Sequence, residues 1–125
     1  MKFFDRFFHN GDKKNIYPMP EWETVVETMY DKQLDSFVDE VIDAVYSKDH
    51  SMRYVILKNA QGLFTYQLEV IHQFDDNEWQ YVCSDKNSLP AIWEPFKESA
   101  EKSIFESKNE LLKEMKSEAE YRRYF

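Results

Sequence analysis

Glycine is scarce in this chain. Gly11 and Gly62 are the only two in 125 residues. The phosphate-binding P-loop and the dinucleotide fingerprint each need closely spaced glycines, so that backbone can approach phosphate. Neither pattern is present, and both nucleotide-binding modes are excluded in those forms. Cysteine is scarcer still. Cys83 is alone, so no internal disulfide forms and no cysteine-rich zinc site is available. His9, His50 and His72 lie far apart and show no H-x-x-x-H spacing. There is no G-x-S-x-G elbow and no EF-hand spacing. No catalytic residues, no metal and no cofactor are therefore expected, and the chain is expected not to be an enzyme.

Long apolar runs are also missing. No stretch approaches the roughly 18 apolar residues of a membrane span. The apolar residues of Met1 to Phe8 are too few for the core of a secretory signal. With a single thiol, the expected location is cytoplasmic. Cations are the minority charge, 16 against 24 acids, for a net charge of −8. Backbone binding to nucleic acid needs clustered Lys and Arg, so no direct nucleic-acid contact is expected. A basic protein partner suits the charge balance better.

Aromatic residues are plentiful, at 17% of the chain. Three Trp, eight Tyr and ten Phe supply large buried areas, so an ordered core is expected. At this length the default is one domain. Residues 1–19 read as a flexible or docking N-terminal arm, with Phe3, Phe4, Phe7 and Phe8 on one side of a short helix. Residues 20–125 read as a single α+β domain.

Glu21 to Ser47 is predicted helical. Pro20 suits a first turn, and the apolar residues from Trp22 to Tyr46 repeat mostly every four positions. A four-residue step drifts about 40° per repeat on a straight helix. The helix is therefore expected either to break near 31–33 or to be covered on different sides at its two ends. Residues 53–59, 63–74 and 78–84 are rich in β-branched and aromatic side chains and predict a three-stranded antiparallel meander. The first hairpin is expected to set Leu57 by Phe64 and Val55 by Tyr66. A two-residue turn at Asp76-Asn77 is expected to set Phe74 by Trp79, His72 by Tyr81 and Val70 by Cys83. The face carrying Phe64, Tyr66 and Leu68 is expected to receive the N-terminal helix. The opposite face, with Tyr54, Ile56, Ile71 and Val82, needs cover from the arm, the C-terminal region or an interface.

Beyond Ser84 the chain reads as irregular, anchored by Trp93. Residues 102–106 fit either a fourth, edge strand or the continuation of a helix begun near Phe96, with the strand favoured. Ser107-x-x-Glu110 and Ser117-x-x-Glu120 fit capping boxes and predict helices at 108–116 and 118–124.

Three constellations have a chemical and a structural reading. Cys83 and His72 would lie diagonally on neighbouring strands, as a thiolate–imidazole dyad or as a core cysteine beside a marginal histidine; the second is preferred. Asp75, Asp76 and Glu78 would bind a cation or simply surround a solvated turn; the turn is preferred. Glu69 with Gln67, Gln73 and Gln80 would line a polar groove or form a solvated face; the solvated face is preferred.

One feature is unusual. Glu23, Glu27, Asp31, Asp35, Asp39 and Asp43 form an unbroken i, i+4 series. Glu21 to Tyr46 holds eight acids against Lys32 alone, a net of −7. Like charges at i, i+4 cost about 0.2–0.5 kcal/mol each on a helix. An acidic ridge on an otherwise balanced chain points to electrostatic capture of a basic partner. The leading expectation is a small acidic protein-binding module, with an immunity-type inhibitor of a nuclease-like partner as one concrete version. The alternatives are a homo-oligomeric structural domain, using the second sheet face or the phenylalanine arm, and a small-ligand binder or enzyme using a groove near Glu69.

Overall fold

The computed structural model describes residues 17–83, 87–97 and 103–125. Phe3, Phe4, Phe7 and Phe8 lie outside the described residues. The architecture is α+β: one four-stranded antiparallel sheet, in the order β1-β2-β3-β4, carries helices on both faces.

The first helix, α1, is Trp22–Met29. Val25, Val26 and Met29 turn inward and pack on Ile71, Ala91 and Trp93. The helix stops far short of Ser47. Asp31 and Gln33 both take left-handed backbone, with φ of 58° and 61°, and a 3-10 turn follows at Leu34–Ser36. The expected break at 31–33 is present, but helix does not resume. Residues Glu40–Tyr46 form β1. The cause lies in the residue types: Val41, Ile42 and Val45 are β-branched and favour a pleated surface. A four-residue repeat is also a multiple of the strand period of two, so it cannot separate helix from strand.

β2, Met52–Lys58, is buried without interruption from Met52 to Leu57. Helices cover both faces at this central strand, which removes the usual apolar–polar alternation. β3 is Phe64–Gln73. The hairpin between them is longer than expected. The Asn59 side-chain oxygen accepts from the backbone N–H groups of Gln61 and Leu63, both at 2.9 Å, and Gly62 supplies a φ of 81°. This loop shifts the register by one. Lys58 faces Phe64, Ile56 faces Tyr66 and Tyr54 faces Leu68, in place of the expected Leu57–Phe64 and Val55–Tyr66 pairs.

A one-residue shift exchanges faces. Tyr54, Ile56, Tyr66 and Leu68 therefore share one face, and the C-terminal helices cover it. Those helices are α3, Lys108–Lys116, and α4, Ala119–Tyr124; α3 buries Leu111 and Met115. Their positions match the sequence reading. The first cap also forms, with Ser107 Oγ accepting from Glu110 N at 3.2 Å. The second does not: Ser117 Oγ donates to Glu114 O instead, at 2.6 Å. The N-terminal helix takes the opposite face, that of Arg53, Glu69 and Ile71, a reversal of the expectation.

The third predicted strand, 78–84, is a helix from Asp76 to Val82, α2. Asp75 is its N-cap. The Asp75 carboxylate accepts from Glu78 N at 2.8 Å, and Glu78 Oε1 accepts from Asp75 N at 2.9 Å. This capping box nucleates a helix where an even–odd strand pairing was expected. The true partner of β3 is β4, Ala91–Pro95, with Ile71 opposite Trp93 and His72 opposite Ile92. Prolines at 90 and 95 bracket this edge strand, where a missing N–H is tolerated. Residue 102 of the proposed strand at 102–106 lies outside the described residues; among the rest a single bridge forms, Phe105 to Phe64, with both hydrogen bonds made at 2.8 and 2.9 Å.

The C-terminal layer is fastened by one carboxylate. Tyr54 donates to Glu118 Oε1 at 2.7 Å and Tyr66 donates to Glu118 Oε2 at 2.6 Å. Burial, reinforced by the adjacent Glu118 carboxylate, pushes both phenols well above their ordinary value of 10.0. The folded state thus holds protons that the unfolded chain releases above pH 10. This contribution to stability is complete below that pH and is lost as pH climbs from there toward the folded values. Tyr54→Phe and Tyr66→Phe are each expected to lower stability near neutrality by about 1.5–3 kcal/mol, as for a hydrogen bond to a charged group. They are also expected to flatten the alkaline decline. Urea midpoints measured from pH 7 upward check both outcomes.

Candidate functional site

The six acids singled out in the sequence do not form one helical ridge, because the helix ends before Asp31. Glu23 and Glu27 are exposed on α1. Asp31 is exposed on its left-handed turn, 3.7 Å from Lys32 Nζ. Asp35 is exposed in the 3-10 turn, and Asp39 is half-buried just before β1. Asp43 points elsewhere. It sits at the β-bulge of β1, its Oδ1 accepts from Ala44 N at 2.8 Å, and its Oδ2 lies 3.6 Å from Lys108 on α3. Five acids therefore follow α1 and the 31–39 segment, while Asp43 belongs to the face covered by the C-terminal helices.

What holds the 31–33 turn in place is a group the sequence reading overlooked. Arg53 is fully buried, and its Nε donates to Glu69 Oε1 at 2.8 Å. Its Nη1 donates to Lys32 O at 2.7 Å, and its guanidinium lies over the Trp93 ring at 4.2 Å. Among the described residues, Nη2 has no hydrogen-bond partner. Trp93 completes the anchorage: its indole N–H donates to Met29 O and its backbone N–H to Gln33 Oε1, both at 2.8 Å. With Asp31 N donating to the Tyr46 hydroxyl on β1 at 2.9 Å, the left-handed turn that presents Asp31 is tied to the sheet at four points. The signal in the sequence was Arg53 itself, a cation in an apolar strand, with Glu69 available on the next strand. Choosing the register that opposes these charges gives the observed pairing.

The other constellations resolve differently from their chemical readings. Glu69 lines no groove and is not solvated; it is buried against Arg53, and Gln67 Nε2 donates to its second oxygen at 3.0 Å. Gln80 lies on α2 and is exposed. The strand that would bring Cys83 beside His72 is a helix, so that dyad does not form. Cys83 caps α2, and His72 lies 3.7 Å from both Glu78 and Glu94. Asp75, Asp76 and Glu78 belong to the start of α2, where negative charge suits the helix dipole. Among the described residues, no group of three or more His, Cys, Asp or Glu stands together as a metal site. Nor is any helix among them long and apolar enough to cross a membrane.

The buried pair predicts a non-additive mutant cycle. Arg53→Met leaves Glu69 charged and buried, and is expected to cost about 3–5 kcal/mol. Adding Glu69→Leu removes the stranded charge and is expected to restore most of that loss. Denaturant titration of the two single variants and the double variant measures the coupling. No known protein family, curated protein or solved structure matches this chain.

Proposed function

We propose that this chain is a small cytoplasmic protein-binding module that captures a basic surface on another protein without catalysis. An immunity-type inhibitor of a nuclease-like partner is its most concrete form. The observation that carries the reading is the concentration of unneutralised charge. Residues 21–46 hold eight acids and one base, and Glu21, Glu23, Glu27, Asp31 and Asp35 are all exposed. In that stretch only Asp31 and Asp43 have an ion-pair partner among the described residues. Surface charge of one sign steers encounter with an oppositely charged partner and accelerates association. The proposed contact runs along α1 and the anchored 31–39 segment, without Asp43, in place of a straight helical ridge.

The homo-oligomer alternative loses one of its two surfaces. The sheet face bearing Tyr54 and Ile56, once a candidate interface, is covered by α3 and α4. The groove version of a ligand binder loses Glu69 to its buried ion pair.

The test uses a panel of cationic nuclease domains as probes. Binding is expected to weaken on the order of tenfold or more between low and physiological salt. The combined Glu23→Gln, Glu27→Gln, Asp31→Asn and Asp35→Asn variant is expected to lose most of the steering. Association indifferent to both salt and these substitutions would remove the electrostatic mechanism. A second expectation separates function from stability. Glu27→Lys places a cation four residues after Glu23, and is expected to stabilise α1 by about 0.2–0.5 kcal/mol while weakening capture. Thermal midpoints and the same titrations report the two effects together.

A further inference from the structure

A column of rings runs from solvent to the buried ion pair. Tyr30, 42% exposed, stacks on Tyr46 with centroids 4.2 Å apart and planes inclined by 24°. The exposed His50 tilts against Tyr30 at 5.0 Å and meets Tyr46 edge-on at 6.0 Å. Tyr46 in turn meets Trp93 edge-on at 6.1 Å, and Trp93 carries the Arg53 guanidinium on its face. The inner part of this column is fixed. The Tyr46 hydroxyl accepts from Asp31 N at 2.9 Å. Asp49 Oδ1 accepts from Ser47 Oγ, Ser51 N and Ser51 Oγ within 3.0 Å, which sets the tight loop that holds His50 at a φ of 66°. Those bonds, the Ser51 backbone first, hold the Asp49 carboxyl below its ordinary value.

The outer rings are thus presented in a set geometry, so little ordering is needed when something lands on them. Acidic residues flank them along the chain. Glu27 stands one helical turn before Tyr30, Asp31 follows it, and Asp49 precedes His50. The nearby cations are Lys32, paired with Asp31 at 3.7 Å, Lys48, and the buried Arg53, whose Nη1 donates to the Tyr46 hydroxyl at 3.5 Å on the inner side of the column. Aromatic faces on an acidic stretch of chain favour a cation that is also flat. A guanidinium stacks on rings and pairs with carboxylates at the same time, whereas an ammonium is a compact and strongly hydrated charge. The same acids repel phosphate, which disfavours a nucleotide as occupant.

We propose that Tyr30 and His50 form the central contact of the partner-binding surface and seat an arginine side chain of the basic partner. This rests on the acidic-module reading and adds to it a residue-type preference that charge alone does not give. The experiment compares a short oligoarginine peptide with an oligolysine of equal length, by fluorescence anisotropy at low and near-physiological salt. Tyr30→Leu keeps an apolar group on Tyr46, and His50→Asn keeps a residue that tolerates left-handed backbone. The parent is expected to prefer oligoarginine by about two- to five-fold, as for an exposed cation–π contact. Both variants are expected to lose that preference while their affinity for oligolysine holds. Asp35→Asn, in the 3-10 turn, is expected to weaken both peptides alike. Equal affinity for the two peptides, or a preference that survives in both variants, overturns the aromatic contact and leaves the acidic module standing. Failure of either peptide to bind even at low salt overturns both.

Discussion

Arg53 and Glu69 face each other across β2 and β3 where neither charge meets water. Each alone would be costly to bury; together, with Gln67 on the carboxylate and Trp93 beneath the guanidinium, they are tolerated. The pair also fixes more than itself. It holds β2 and β3 in one register, because a shift by one residue would leave both charges buried against apolar neighbours. Through Lys32 O it fixes the point where the chain leaves α1 for the sheet. The acid-bearing segment therefore has a defined path over the sheet, although it contains no long regular element.

The two faces of the sheet are closed by different means. On the α1 side the closure is polar as well as apolar, with indole, amide and guanidinium groups each finding backbone partners. On the other side the closure is largely apolar, and Glu118 receives two tyrosine hydroxyls at its margin. The end of α4 is tied back to the turn between β1 and β2 by Lys48 N donating to Tyr124 O at 3.0 Å. A surface for recognition needs a rigid support, and the α1 side is the one where surface loop and buried network are joined.

The α+β class, two strands and both C-terminal helices were legible because their local signals agree. Alternating apolar residues, Phe64, Tyr66, Leu68 and Val70, mark β3, and Ser107-x-x-Glu110 marks α3. The failures share a cause: short-range patterns that fit two structures. Acids and apolar residues four apart fit a helix face and a strand face equally, so the pattern joins Glu40–Tyr46 to α1. Asp75-x-x-Glu78 is a capping box as clear as the one at Ser107, but a plausible hairpin turn in the same residues competed with it. β4 is short and flanked by prolines, and its pairing with β3 becomes visible only once α2 is taken out of the sheet. Arg53 was hidden by the register error, since the wrong register places it opposite Leu68. The aromatic column was beyond sequence reasoning, because Tyr30, Tyr46 and His50 converge only through two left-handed turns.

The unbroken burial of β2 has a cost outside the native state. Tyr54-Val55-Ile56-Leu57 is an uncharged, β-prone tetrapeptide, and in an unfolded or newly made chain it is the sort of segment that pairs with copies of itself. Arg53 and Lys58 stand immediately on either side of it. Charges in those positions act as gatekeepers against self-association. The arginine that orders the folded interior thus also guards the strand against aggregation before that interior exists.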